Sequence, residues 1–185
     1  MNGRVGTANS ETHVQQMENI TRLPAPPEAF EAFYRREYRA IVAVAYALSG
    51  DASVAEEIAQ DAFVVAHQRW DELVDMDIPG AWVRRVASNK AVSFVRRRRS
   101  ELRAVARLGG RRQPVAGLDH DDREFWAEVR RLPTQQARAI ALFYLEDRPV
   151  EDVAEILDCA PSTVRVHLHR GRLALADRLG LEVAE

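Results

Sequence analysis

Apolar residues recur every three or four positions along most of this 185-residue chain, which is the spacing of one face of an α-helix. No stretch alternates apolar and polar residues for long enough to predict a β-strand. The pattern is clearest near the start of the periodic region, at Phe30, Phe33, Tyr34, Ile41, Val44, Ala45 and Leu48. The sequence therefore predicts an all-α protein.

Residues 101–122 break the helical pattern. Two adjacent glycines, a proline and a cluster of aspartates stand there, a composition typical of a flexible linker. We therefore predict two small helical domains, residues 25–100 and 123–181, the second ending in a helix-turn-helix. Residues 1–24 are polar and aperiodic, and we predict a disordered tail.

Several helix boundaries have recognisable signals. Ser53 is a candidate N-cap of the second helix, with Glu56 completing a capping box. Residues 71–80 are predicted as a polar loop, and a third helix is predicted from Ala81 to about Arg99. Pro161 is placed to start a last helix that runs to about Leu179.

Composition excludes several classes of protein. With 46% apolar and 29% charged residues, the chain has the balance of a folded soluble protein. Its longest apolar run, Ile41 to Leu48, is far shorter than the ~20 residues of a membrane helix, and residues 1–27 lack a signal-peptide core. The single cysteine, Cys159, suits a reducing compartment. We therefore expect a cytoplasmic protein without membrane insertion.

Little in the sequence supports an enzyme. The sequence contains no phosphate-cradling glycine loop, no metal-spaced cluster and no nucleophile with a plausible base. His167 and His169 are two residues apart, so on a helix they point to different sides and make a poor metal pair. We expect no cofactor, no metal and no small-molecule substrate.

The charges are segregated along the chain. Residues 50–80 carry eight acidic residues against one arginine, a net charge of −7, and residues 81–112 carry a net charge of +10. Two adjacent blocks of opposite sign favour a protein with two partners of opposite charge. Two solvated helix faces that happen to differ are the alternative.

The last two predicted helices have the plan of a helix-turn-helix, in which the second helix enters the major groove. At ~100° per residue, Val164, Leu168, Gly171 and Leu175 fall on one side of that helix and are predicted to pack inward. The outward face is predicted to carry Arg165, Val166, His169 and Arg170. Such a face can read base edges and thymine methyl groups.

Ser162 and Thr163 stand at the start of this predicted helix, where they can donate to a phosphate. A packed helical hairpin with a charged outer face remains the alternative for the whole motif.

A second basic segment precedes the predicted linker. The run Arg96 to Arg99 follows Arg84, Arg85 and Lys90, with Trp82 and Phe94 interleaved among these bases. Core packing is the alternative for both aromatic residues, and for Phe94 it is the favoured one. Aromatic side chains among bases can stack on unpaired nucleotides, so this segment is a candidate for single-stranded DNA. A solvated helix end, favoured by the helix dipole, explains the arginine run equally well.

Three motifs in order resemble one family. The segment 55–63 (AEEIAQDAF) resembles the acidic helix of bacterial sigma factors that binds the clamp coiled coil of RNA polymerase. Residues 81–89 (AWVRRVASN) are similar to the segment that melts and reads the −10 promoter element. Leu132-Pro133, Arg138, residues 153–157 (VAEIL) and residues 162–165 (STVR) are similar to the domain that reads the −35 element. The order of the motifs and the lack of a middle domain are similar to the extracytoplasmic-function (ECF) class.

The resemblance implies a transcription initiation factor, with region 2 at residues 25–100 and region 4 at 123–181. It implies that polymerase-binding residues are Glu56, Glu57, Gln60 and Asp61. It implies that residues at the −10 element are Trp82, Arg84, Asn89, Lys90, Arg96 and Arg97, with the loop 71–79 and Asn89 holding a flipped base. It implies that the −35 element is contacted by Ser162, Thr163, Arg165, Val166, His169 and Arg170.

The chain departs from the family pattern at three places. Ser93 stands where the family often has Asp, and Ser162 stands where it often has Gly. The loop at residues 71–79 is unusually acidic, which leaves the preferred −10 sequence open.

The partners implied by the resemblance are core RNA polymerase and promoter DNA, and an anti-sigma factor is a further partner found for many members. The main rival is a free-standing helix-turn-helix regulator, which would bind a palindromic operator without polymerase.

Overall fold

The computed structural model of the chain describes the backbone of residues 28–107 and 120–181, and the side chains of residues 28–101 and 123–181. The predicted tail and most of the predicted linker lie outside the described residues. In the described part the regular elements are all helices, which confirms the predicted fold class.

Helices α1 to α4 form the N-terminal domain. Their bounds are α1 (Phe30–Ser49), α2 (Ala52–Gln68), α3 (Trp70–Leu73) and α4 (Pro79–Arg107). The C-terminal domain contains α5 (His120–Val129), α6 (Thr134–Ile140) with a π-helical continuation (Ala141–Leu145), α7 (Val150–Leu157) and α8 (Pro161–Leu179).

The start of α2 differs from the prediction. Gly50 ends α1 in the left-handed conformation, with φ of 76°, and this turn places Asp51 at the N-cap of α2. The Asp51 carboxylate accepts a hydrogen bond from the Val54 amide at 3.2 Å. Ser53 therefore lies inside the helix, and its predicted capping role was wrong because a better cap precedes it.

The predicted loop at residues 71–80 is partly helical. Trp70 and Leu73 are anchored in the core: the Trp70 ring lies 4.8 Å from the Phe33 ring, and Leu73 is only 2% exposed. These anchors hold a short helix, α3, where polarity alone favoured a loop.

The long helix α4 begins and ends outside its predicted bounds. It begins at Pro79, a residue well suited to a first helical turn, and it continues through Arg107 into the predicted linker. Residues 100–107 are rich in Leu, Ala and Arg, which are strong helix formers, so the backbone there continues the helix.

The buried apolar residues of the two domains form one continuous cluster. In the N-terminal domain, Phe33 and Phe63 pack with their ring centroids 5.9 Å apart. In the C-terminal domain, Ile140, Ile156 and Leu168 are almost fully buried. The two domains are therefore packed against each other in this structure.

Two features are absent from the described ranges. No helix among residues 28–107 and 120–181 is both long enough and apolar enough to cross a bilayer. Over the same described residues, no three His, Cys, Asp or Glu side chains gather as a potential metal site.

Candidate nucleic-acid interface

Helices α7 and α8 are joined by a tight turn. Asp158 ends α7 in the left-handed conformation, with φ of 58°, and the Cys159 amide donates to the Ala154 carbonyl at 3.0 Å. Pro161 is the first residue of α8, as the sequence predicts. Because the turn is this short, α8 is held across α7 as the outer helix of a helix-turn-helix.

The two faces of α8 are those that the helical arithmetic predicts. The inward set, Val164, Leu168, Gly171 and Leu175, is buried. The outward set, Arg165, Val166, His169 and Arg170, is exposed, with Val166 at 44%. Ser162 is exposed and Thr163 half-buried at the helix start. An apolar side chain is therefore displayed between basic ones on the solvent-exposed face of α8.

A close approach fixes the depth of α8. A Cβ built on Gly171 would lie 3.1 Å from Ile140 Cγ1, so α8 contacts α6 where only a glycine fits without adjustment. Ile140 is itself fully buried. The outward face therefore belongs to a helix, α8, that is closely packed against α6.

Electrostatic contacts on the outer face are weak. The Arg165 guanidinium lies 3.0 Å from the Glu151 carboxylate, and both side chains are more than 60% exposed. Such an exposed pair contributes only ~0.2–1 kcal/mol, so Arg165 can exchange this carboxylate for a phosphate or a base. Burial lowers the pKa of His167, and the charge of Arg170 lowers it further.

The four predicted polymerase-binding residues lie on one exposed stretch of α2. Glu56, Glu57, Gln60 and Asp61 are all exposed, while Ala55, Ile58, Ala59 and Ala62 face the core. Asp61 also pairs with Lys90 of α4, with 2.6 Å between Nζ and Oδ2. This contact joins the acidic helix to the basic helix.

The predicted −10 residues divide between surface and interior. Asn89, Arg96 and Arg97 are exposed, and Lys90 is half-buried. Trp82 is also half-buried, and the Arg69 guanidinium lies 5.5 Å from the centroid of its ring. A base that stacks on this face of Trp82 must displace Arg69.

Arg84 is not on the surface. It is 3% exposed, and its guanidinium lies 2.7 Å from Glu37 of α1 and 2.7 Å from Glu146 of the C-terminal domain. Although burial opposes it, bonding to Glu146 and then Glu37 raises the pKa of Arg84. In this conformation Arg84 joins the two domains and is covered.

Sequence reasoning missed the partners of Arg84. Glu37 and Glu146 lie far from Arg84 in the chain, and Arg148 shares Glu146 at 2.7 Å. Glu146 follows directly after the π-helical turn, which positions it. A Cβ on Gly80 would lie 2.6 Å from Arg84 Nη1, so this glycine leaves room for the buried guanidinium, but no signal in the sequence alone identified its partners.

Two family models match the chain. The model for sigma-70 region 2 matches residues 33–101, and the model for sigma-70, region 4, matches residues 122–175. Together they cover both helical domains in the expected order.

Curated relatives match this chain along most of their own length. The chain is 27% identical over 154 residues to the ECF RNA polymerase sigma factor SigW of Bacillus subtilis, covering 75% of this chain and 82% of that one. It is 28% identical over 156 residues to the RNA polymerase sigma-E factor of Streptomyces avermitilis, covering 81% and 84% respectively.

Two solved structures have a similar fold. The sigma factor RpoE of Bartonella quintana, in complex with the anti-sigma factor NepR, is 25% identical with a TM-score of 0.65, covering 83% of this chain and 98% of that one. CnrH, in complex with the cytosolic domain of CnrY, is 21% identical with a TM-score of 0.62, covering 82% and 87%, and supports the fold alone.

The family explains why an acidic helix, a basic helix and an exposed helix-turn-helix occur in one small chain, and it disfavours a free-standing operator-binding regulator. The protein belongs to the sigma-70 family, as an ECF sigma factor that binds core RNA polymerase and directs it to promoters.

Proposed function

We propose a division of labour among three surfaces of this sigma factor. Region 2, at residues 25–100, binds the polymerase through α2 and the −10 element through α4. Region 4, at residues 123–181, reads the −35 element through α8. The observation that carries this proposal is the outer face of α8, where Val166 is 44% exposed between basic residues.

The polymerase-binding surface is the acidic face of α2. Glu56, Glu57, Gln60 and Asp61 are exposed together, and the helix is held in place by its buried alanines and Phe63. Carboxylates on a fixed helix complement a basic docking surface and speed encounter with it. This supports docking on the clamp coiled coil of RNA polymerase.

The −10 surface is the basic side of α4 with the preceding loop. Melting costs ~1–2 kcal/mol of stacking for each base-pair step, so the protein must bind unpaired DNA to offset it. Asn89 and the loop 71–79 hold a flipped base, and Trp82 stacks on a neighbouring one. Lys90, Arg96 and Arg97 contact phosphates, and Arg84 joins them when it is released from the domain contact.

The −35 surface is α8 in the major groove. Arg165 and Arg170 are suited to guanine edges, and Val166 to a thymine methyl group. His169 lies on the same exposed face. Ser162 and Thr163 bind a backbone phosphate, since the positive end of the helix dipole lies at the helix start.

The protein works in the cytoplasm, where polymerase is found, and carries out no chemistry itself. An anti-sigma factor is proposed as a further partner, because the similar sigma factor RpoE is bound to the anti-sigma factor NepR in its structure.

The test is a pair of double variants that should fail at different steps. We expect Gln60→Ala/Asp61→Ala to lose binding to core polymerase. We expect Arg165→Ala/Arg170→Ala to bind polymerase normally but to lose transcription from promoters that require a −35 element. The exposed Glu31→Gln, which alters only the Glu31–Arg35 surface pair, is the matched control.

All five side chains changed in these variants and the control are exposed, so circular dichroism should report an unchanged fold. Normal polymerase binding by Gln60→Ala/Asp61→Ala would overturn the α2 assignment. Undiminished transcription by Arg165→Ala/Arg170→Ala from promoters that require a −35 element would overturn the α8 assignment.

A further inference from the structure

The domain contact uses arginines of the helix that is assigned to promoter DNA. Arg84 and Arg85 are consecutive residues near the start of α4, and both bond to the C-terminal domain. The Arg84 Nε atom lies 2.7 Å from Glu146 Oε2, and the Glu146 side chain is only 6% exposed. This ion pair is largely shielded from solvent.

Arg85 reaches the carboxyl end of α7. Its Nε donates to the Ile156 carbonyl at 3.0 Å, and its Nη2 donates to the Glu155 carbonyl at 2.5 Å. Asp158, the residue after α7, lies 3.4 Å from the same guanidinium. The last carbonyls of a helix have no partner within it and carry partial negative charge, so they favour a cation.

These carboxylates and carbonyls occupy the guanidinium N–H donors that would otherwise bind DNA phosphates. A guanidinium binds phosphate through the same paired N–H donors that it offers to a carboxylate. Arg84 is 3% exposed and cannot reach a nucleotide while Glu146 holds it. Domain contact and full contact of α4 with DNA therefore exclude each other.

The domain contact also buries an arginine that lacks a charged partner among the described residues. Arg138 of α6 is 3% exposed at the same junction, where its Nε donates to Ser88 of α4 at 3.1 Å. Within the described chain its Nη2 atom has no hydrogen-bond partner, and its other bond goes to the neutral Gln135 side chain. Burying an unpaired charge is unfavourable, so Arg138 opposes the closed arrangement.

We propose that the free protein closes on itself through Arg84 and Arg85 and that promoter DNA competes with Glu146 and the α7 terminus for these two arginines. The proposal rests on the assignment of α4 to the −10 element. In the free protein the −35 face of α8 stays exposed while part of the −10 surface is covered. Closure thus limits binding to DNA until both domains are separated.

Closure can be measured without DNA or polymerase. Fluorescent labels at Gln68→Cys and Asp177→Cys, two exposed positions in different domains, report the domain separation in a full chain that carries Cys159→Ser. We expect high energy transfer in the parent and lower transfer in Glu146→Gln/Asp158→Asn. Glu31→Gln should match the parent.

Asp158→Asn alone guards against misfolding, because Asp158 is 80% exposed and its left-handed backbone tolerates Asn. It should lower the transfer part of the way. Equal transfer in the parent, Asp158→Asn and the double variant would overturn the proposal.

The competition is tested with a single-stranded DNA of mixed sequence at low salt. We expect the double variant to bind it about tenfold more tightly than the parent, a difference of ~1.4 kcal/mol. Saturating DNA should also reduce energy transfer in the parent. An opened variant that gains no affinity, or a parent that binds DNA without a change in transfer, would overturn the proposal. Failure of the assignment of α4 to DNA would appear instead as unchanged binding of single-stranded DNA by Lys90→Ala.

Discussion

The Lys90 ammonium group lies 2.6 Å from the Asp61 carboxylate, and this ion pair joins the two oppositely charged helices of region 2. Asp61 belongs to the face of α2 assigned to polymerase, and Lys90 to the face of α4 assigned to DNA. Both side chains are about half exposed, at 55% and 41%. A pair of this kind is worth ~0.2–1 kcal/mol and is easily exchanged for other partners.

The first prediction separates these two residues. Asp61→Asn should weaken binding to core polymerase, whereas Lys90→Ala should leave it undiminished and weaken binding to single-stranded DNA. Each variant should change the free energy of unfolding by less than about 1 kcal/mol. Titration with polymerase and urea unfolding measure the two effects. Equal loss of polymerase affinity in both variants would mean that the pair acts only by holding α2 and α4 together.

The second prediction compares two arginines of equal burial. Arg84 and Arg138 are each 3% exposed, but Arg84 pairs with two carboxylates and Arg138 bonds only to neutral partners in the described chain. Burial, followed by the charge of Arg85, lowers the pKa of Arg138 to about 10. We therefore expect the charge of Arg138 to destabilise the fold and the charge of Arg84 to stabilise it.

We expect Arg84→Met to lower the free energy of unfolding by about 3–5 kcal/mol, because it strands Glu37 and Glu146. Arg138→Met should leave it unchanged or raise it by about 1 kcal/mol, because a buried unpaired charge is removed. Urea unfolding of the two variants gives both numbers. If Arg138→Met lowered the free energy of unfolding as much as Arg84→Met, Arg138 would have a stabilising partner.

The contrast between these arginines marks the limit of what the sequence predicts. The faces of α8 follow from a 3.6-residue period, and the burial of Val164 and Leu168 confirms them. The Arg84–Glu146 pair joins residues 62 apart, and no local pattern specifies which carboxylate a buried arginine will meet. Local signals therefore predicted helices and faces but not the domain contact.

The wrong boundaries have the same physical origin. Polarity predicted a loop at residues 71–80, but Trp70 and Leu73 are anchored by distant aromatic and apolar partners. Ser53 carried a capping signature, but Asp51 took the cap because Gly50 ended α1 just before it. The roles of the individual site residues stay predictions, as do the exact domain bounds.

The third prediction concerns Gly171. Alanine favours a helix by ~1 kcal/mol over glycine, but its Cβ would lie 3.1 Å from the fully buried Ile140. Overpacking a core costs about 1–3 kcal/mol, so Gly171→Ala should lower the free energy of unfolding by about 1 kcal/mol. Asp177→Ala, at an exposed position of the same helix, is the control and should cause no loss. Thermal or urea unfolding measures this change. A higher free energy of unfolding in Gly171→Ala would mean that α8 shifts freely on α6.

The fourth prediction concerns the thiol in the turn between α7 and α8. Burial raises the pKa of Cys159, and the nearby Asp158 charge adds to this against the opposing charge of Arg138. Because the thiolate is the reactive form, alkylation by iodoacetamide should be slower than that of a free cysteine near pH 8, and its rate should keep rising at higher pH. Faster alkylation than free cysteine would indicate an activated thiol and a redox role.

The most direct test of the whole account is DNA binding and run-off transcription by the purified chain with and without core polymerase. We predict weak binding of DNA alone, and, with polymerase, defined start sites preceded by an asymmetric promoter with two separate elements. Tight binding to a symmetric operator in the absence of polymerase, without any transcript in its presence, would contradict the account.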